Sequence, residues 1–390
     1  MKKTNDPYQY FENIIIGAGA AGLFLAGEIK TSKTLILESN PSPGKKIIIS
    51  GGGRCNFTNK NITFNDFHSQ SKNFYRSALK SFSQDDFINL VKKENIPFYE
   101  KKLGQLFCEN RSKDILVLLL NRIKSNTQIK YNSSISETDI KKIDDFFIIK
   151  TKDKSYKCKN LIIASGGPPM PKIGGSNLSQ RVANNFGLKT EKFLPALVPI
   201  FEKGTQDYSG ISIPVEIKVN KKIVADDLLF THKGFSGPAI LKLTLWAELG
   251  DEFKINWDPF SEIDRTLYKN PSSTFSNALS TNFPNRFAKY FLNRHLINDK
   301  QGPHSKKTIN KFLECLHGDV FTYLNNEGFR KAEVAKGGIS TKELDAKTMQ
   351  TKKIKGLYFI GEAIDVTGLL GGYNFQWAWS SAHIASKNIN

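Results

Sequence analysis

Apolar positions first cluster at Ile14-Ile15-Ile16, pass through a glycine-rich turn, and resume over residues 20–29 and 34–38. Short unbroken apolar runs bounded by turn residues predict strands buried on both faces, and a longer run predicts a helix. Residues 13–38 therefore read as strand, turn, helix, strand, the opening of a nucleotide-binding unit. Residues 146–151 and 161–164 predict further strands, the second stopped by Ser165-Gly166-Gly167-Pro168-Pro169.

Beyond Pro195 the pattern changes to short β-branched segments at 196–201, 211–219 and 223–230, separated by Gly, Pro and Asp. This predicts an antiparallel, barrel-like insertion. Across 264–317, Phe275, Leu279, Phe283, Phe287, Phe291 and Leu292 recur at about helical spacing, predicting a small helical part. Strand character returns at 332–339 and 356–360, and an amphipathic helix is expected over 374–387. The expected division is a nucleotide-binding domain of residues 1–192 and 341–390, an inserted β-barrel-like domain of 193–258 and 318–340, and a helical domain of 259–317.

The chemistry concentrates at the two ends of the chain. Gly17-x-Gly19-x-x-Gly22 follows a predicted strand and opens a predicted helix, the context in which its glycines allow a tight turn, close approach of a pyrophosphate and close helix packing. Ala20 and Ala21 stand at the positive end of that helix. Glu38 closes the next strand where a carboxylate accepts from ribose hydroxyls. Ser50-Gly51-Gly52-Gly53-Arg54-Cys55-Asn56 offers backbone amides to a ligand, with Gly53 and Arg54 near phosphate or flavin; the alternative is a plain surface loop. At the far end, Gly361-Glu362 and Gly371-Gly372-Tyr373-Asn374-Phe375 precede the last helix, whose amides would stabilise negative charge on a reduced flavin pyrimidine. A flavin dinucleotide touching both ends accounts for the pairing. His232, in a turn after a predicted strand, is the one weak catalytic candidate against a structural reading. Trp377 and Trp379 read as core contacts.

Composition adds limits. The 390 residues exceed what one core usually serves. The four cysteines, Cys55, Cys108, Cys158 and Cys315, include no Cys-x-x-Cys pair, so neither a disulfide framework nor a metal site is expected, and Cys55 reads as packing rather than redox. No signal peptide is visible in the polar first dozen residues and the longest aliphatic run, 115–120, is too short for a membrane span, so a cytoplasmic location is expected. Net charge is +19, from 56 basic and 37 acidic residues. The excess is lysine scattered in pairs rather than a basic block, which argues against a nucleic-acid partner.

These strings together resemble the BaiN-like (YhiN-like) family of NAD(P)/FAD-dependent oxidoreductases, some of whose members carry the label aminoacetone oxidase. The likeness spans nearly the whole chain and includes Lys46, Thr58-Asn59, 230–239, Gly337-Gly338, Thr348-Met349 and 356–379. It implies an α/β fold: a Rossmann-like FAD-binding domain carrying an inserted antiparallel β-barrel-like domain and a small helical domain. It also implies that Gly17, Gly19, Gly22, Glu38, Lys46, Arg54, Gly361, Asp365 and Gly372 to Phe375 surround FAD. The chain departs from the family pattern after Gly174, where Gly175-Ser176-Asn177-Leu178-Ser179 lacks an acidic residue, and at Gln350, where an acid is common.

Three functions fit these residues. The first is a flavin oxidoreductase acting on a small molecule, with FAD reduced by NADH or NADPH at a transient site, since no second complete dinucleotide motif is present, and reoxidised by an organic acceptor or oxygen. The second is an RNA-modifying flavoenzyme, which would bind RNA with steep salt dependence. The third is a flavin-binding redox sensor without turnover.

Overall fold

The computed structural model describes residues 7–30, 32–71 and 73–389. Residues 1–6, half of the polar stretch in which no signal peptide is visible, lie outside the described residues.

Two compact units divide the chain, one running to Pro195 and resuming at Glu333, the other spanning Ala196–Ala332. The first is built on a seven-stranded sheet. Its centre is parallel: Thr127–Lys130, Thr34–Leu37, Gln9–Ile16, Ser155–Ile163 and Leu357–Phe359 lie side by side. Phe146–Lys150 and Ile140–Ile143 extend the sheet as an antiparallel meander. The apolar runs explain this order. Ile14, Ile15, Ile36 and Leu161 to Ile163 are fully buried, as strands covered on both faces require, and each such side chain contributes about 1.5–3 kcal/mol on leaving water.

The helix Ala20–Glu28 packs on the final helix Tyr373–Ile389, Phe24 lying 5.6 Å from Trp379. Trp377 and Trp379 are buried, and their indole N–H groups donate to the carbonyls of Gly361 (3.0 Å) and Phe57 (2.9 Å). Chain ends far apart in sequence thus share one core.

The second unit holds a six-stranded antiparallel sheet in the order Ile200–Phe201, Gly234–Ser236, Lys222–Phe230, Ser212–Val219, Glu252–Asn256, Asp319–Thr322. Its helices include Asn285–Arg294 and Lys306–His317. Sheet and helices share one apolar cluster in which Trp257 lies 5.1 Å from Phe287 and 6.2 Å from Phe321. Within 318–340 the chain changes unit: Asp319–Thr322 belongs to this sheet, whereas Val334–Ile339 pairs with Thr190–Ala196. The fold is therefore mixed α/β, a parallel Rossmann-like sheet with an antiparallel insertion.

Candidate cofactor site

The glycine turn joins the first strand to the first helix as the motif requires. Gly17 has φ +108°, and a Cβ there would lie 2.6 Å from the Ala164 carbonyl oxygen. On Gly22 a Cβ would lie 2.1 Å from the Gly17 oxygen and 3.3 Å from the Ala164 Cβ, so helix and sheet approach each other only because it is absent. Gly19 faces open space. The helix that follows has no side-chain cap and no acidic residue in its first turn, which leaves the N–H groups around Ala20 and Ala21 without a side-chain acceptor.

Glu38 is buried beside this turn. Its Oε2 accepts from the Ala18 N–H (2.7 Å), and its Oε1 from the Asn40 N–H (2.8 Å) and Asn40 Nδ2 (2.7 Å). The Gly44 N–H donates to the Ala18 carbonyl (2.9 Å), bringing the helix Lys45–Gly53 to the same place. That helix breaks at Ser50, and Gly51, Gly52 and Gly53 follow with φ of +57°, +66° and +84°. Gly52 and Gly53 also face open space. Arg54 is exposed and turns onto Tyr99, its Nη1 donating to the phenol oxygen (3.3 Å).

The C-terminal end meets the N-terminal one directly. A Cβ on Gly361 would touch the Cβ of Ala21 at 2.9 Å. Gly372, at φ +98°, lies against the backbone of Thr58, while Asn59 Nδ2 donates to the Gly371 carbonyl (3.0 Å) and Thr58 Oγ1 to Gln376 Oε1 (2.8 Å). The last helix is thereby latched to the strand Asn56–Asn59, and its first turn also carries no acid. Asn374 closes the preceding loop through both amide atoms, to the Gly368 N–H and carbonyl (2.9 Å each). Phe375 stacks on Trp379, and Tyr373 is buried edge-on to Phe67. Asp365 is buried and accepts from the Gln70 N–H (2.9 Å), burial pushing its carboxyl above the usual range.

Glu362 stands in the quoted Gly361-Glu362 pair with no role of its own, yet three segments converge on it. Its Oε2 accepts from Lys46 Nζ (3.1 Å) and the Gly167 N–H (3.3 Å), its Oε1 from the Ala335 N–H (3.1 Å). Only the distance along the chain hid this partnership with Lys46. Two further groups have shifted protonation. Glu333 keeps access to solvent but is crowded by protein, which pushes its carboxyl up to about 7. Burial, with Lys336 nearby, pushes His68 down to about 4.

His232 lies in the second unit on an exposed turn, with no hydrogen bond or ion pair to orient its ring among the described residues. Cys55 is fully buried, and burial raises its thiol well above the ordinary value, which disfavours the thiolate that redox chemistry needs. Gln350 has a structural use: its Oε1 accepts from the Gly356 N–H (2.7 Å).

An open glycine turn, an uncapped helix start, a buried ribose-height carboxylate and a second helix start beside them fit an anionic dinucleotide such as FAD. Residues 11–388 match the family model described as HI0933-like protein Rossmann domain. The chain belongs to the HI0933-like family. This is a family of FAD-binding oxidoreductases. The chain is 37% identical to a ribosomal RNA dihydrouridine synthase of Haemophilus influenzae, covering 98% of this chain and 99% of that one. It is also 37% identical to a protein of the same name from Escherichia coli, covering 97% and 98%. A 3-dehydro-bile acid delta(4,6)-reductase of Clostridium scindens is 25% identical over 96% and 97%. No described helix is long and apolar enough to cross a membrane.

Proposed function

We propose that this chain is an FAD-dependent reductase of a carbon–carbon double bond conjugated to a carbonyl, and that its acceptor is a uracil base in ribosomal RNA. The supporting observation is the end-to-end match, at 37% identity, to two proteins named ribosomal RNA dihydrouridine synthase. The more distant relative is named for reduction at a bile acid's 4,6 positions. The two names share a chemistry, because the uracil C5–C6 bond and a 3-oxo-steroid's 4,6-diene are both conjugated to a carbonyl. Conjugation makes the β carbon accept hydride and the α carbon accept a proton. The RNA reading thus moves ahead of the small acceptor to which the scattered lysines had pointed.

When bound, reduced FAD supplies the hydride. The chain's contribution is placement. The glycine turn and the first helix would hold the pyrophosphate, Glu38 the ribose, and the start of the last helix the flavin pyrimidine, where about half a positive elementary charge favours the reduced form. Lys46 and Glu362 fix the segments around them. Cys55, Cys108 and Cys158 are buried, which keeps their thiols from reaching a substrate. NADH or NADPH is the proposed reductant.

The test follows the oxidised-flavin band of the purified protein under anaerobic conditions. NADH or NADPH should bleach it, and ribosomal RNA lacking dihydrouridine should restore it while gaining dihydrouridine, measured by mass spectrometry of nucleosides. Restoration by a steroid enone but not by RNA would overturn the RNA reading. Failure to take up flavin would overturn the whole assignment.

A further inference from the structure

We infer that the strand face carrying Arg54, Tyr99 and Lys101 is where a single strand of RNA lies, with a base against the Tyr99 ring and phosphates at the two cations. This rests on the RNA reading above and adds the location of the contact.

The strands Phe98–Glu100 and Gln105–Cys108 run antiparallel, with Tyr99 directly opposite Phe107. Their rings lie 5.9 Å apart and 19° from parallel; Phe107 is buried and supports Tyr99, which is half-buried and keeps a solvent-facing surface. Lys101, two residues after Tyr99, falls on the same side, its Nζ 5.6 Å from the Phe107 centroid. The Arg54 guanidinium lies 5.9 Å from the Tyr99 centroid. Both cations are exposed, and neither has a carboxylate partner among the described residues. Glu100 points to the opposite side by strand alternation and pairs with Lys60.

This face is continuous with the turn at Gly51 to Gly53. The Cys108 N–H donates to the Arg54 carbonyl (2.9 Å), the Ser112 N–H to the Gly53 carbonyl (2.7 Å), and a Cβ on Gly51 would lie 2.7 Å from the Phe107 ring. A strand lying on Tyr99 is therefore next to the Gly51–Arg54 loop, which the sequence places near phosphate or flavin. An aromatic ring beside a guanidinium and an ammonium suits a nucleobase and phosphates, whereas an uncharged enone has no use for two cations. The first unit as a whole is basic, with 38 basic and 22 acidic residues, a net +16 of the chain's +19, which favours an anionic partner.

The test measures binding of a fluorescent single-stranded oligouridylate to flavin-loaded protein across a salt series. Tyr99→Leu and Lys101→Gln should each weaken binding about tenfold, and Tyr99→Phe, which keeps the ring, should bind nearly as wild type. Lys101→Gln should also lower the slope of log affinity against log salt by about 1, whereas Lys150→Gln, on a distant exposed strand end, should change neither. The flavin spectrum and thermal midpoint report folding, and Lys101→Gln alters only an exposed side chain should the Tyr99→Leu variant lose stability. Wild-type affinity in both Tyr99→Leu and Lys101→Gln would overturn this surface and leave the RNA reading standing. Absence of RNA binding by the wild type would overturn both.

Discussion

Glu333 shows how crowding alone alters the chemistry of one side chain. Crowding disfavours its charged form, so its folded pKa lies at about 7, above the ordinary value of 4.5. The folded chain then holds a proton that the unfolded chain has released between those two values. Stability from this group is present below about pH 4.5 and is lost as pH rises through 7. Solvent access limits the size of the effect but not its sign. Glu333→Gln should therefore flatten the fall of the thermal midpoint between pH 5 and 7.5, with flavin content unchanged; a wild-type profile already flat across that range would refute it. At the same scale, Glu362 gathers Lys46, Gly167 and Ala335, a convergence that no spacing along the chain announces.

The first strand, turn and helix act as one element, and two of its glycines do different things. A methyl at Gly22 would collide with the Gly17 carbonyl, so Gly22→Ala must move the helix off the sheet, at a cost of about 1–3 kcal/mol. A methyl at Gly19 meets no protein atom. Gly19→Ala should keep the thermal midpoint of the flavin-free protein within a degree or two and weaken FAD binding at least tenfold, because the methyl occupies the approach of the pyrophosphate. Gly22→Ala should lower both. Titration of flavin-free protein with FAD, alongside thermal denaturation, separates the two; equal FAD affinity in Gly19→Ala and wild type would remove the pyrophosphate from this turn.

At the scale of the whole chain there are two cores. One is centred on the parallel sheet and the other on Trp257, Phe287 and Phe321. Two cores permit two unfolding transitions, and a ligand stabilises only the part that binds it. Scanning calorimetry should resolve two transitions, of which removal of flavin lowers one. A single transition shifting as a whole would show instead that the cores unfold together. The sequence by itself determined the opening strand–turn–helix, the strands at 146–151 and 356–360 and the last helix, because their signals are local: apolar period, glycine position and chain length between turns. It also raised the expectation that Gly17 to Gly22 and Gly371 to Phe375 share one dinucleotide, and the fold brings Gly361 against Ala21. Tertiary structure decided what depends on distant partners. It turned Arg54 onto Tyr99, engaged Asn374 in its own loop, left His232 without an orienting group among the described residues, and moved Val334–Ile339 to the sheet partner Thr190–Ala196. Side-chain hydrogen bonds leave no period in the sequence, whether they join neighbours such as Asn374 and Gly368 or distant residues such as Lys46 and Glu362, and those contacts are what set the chemistry of the site.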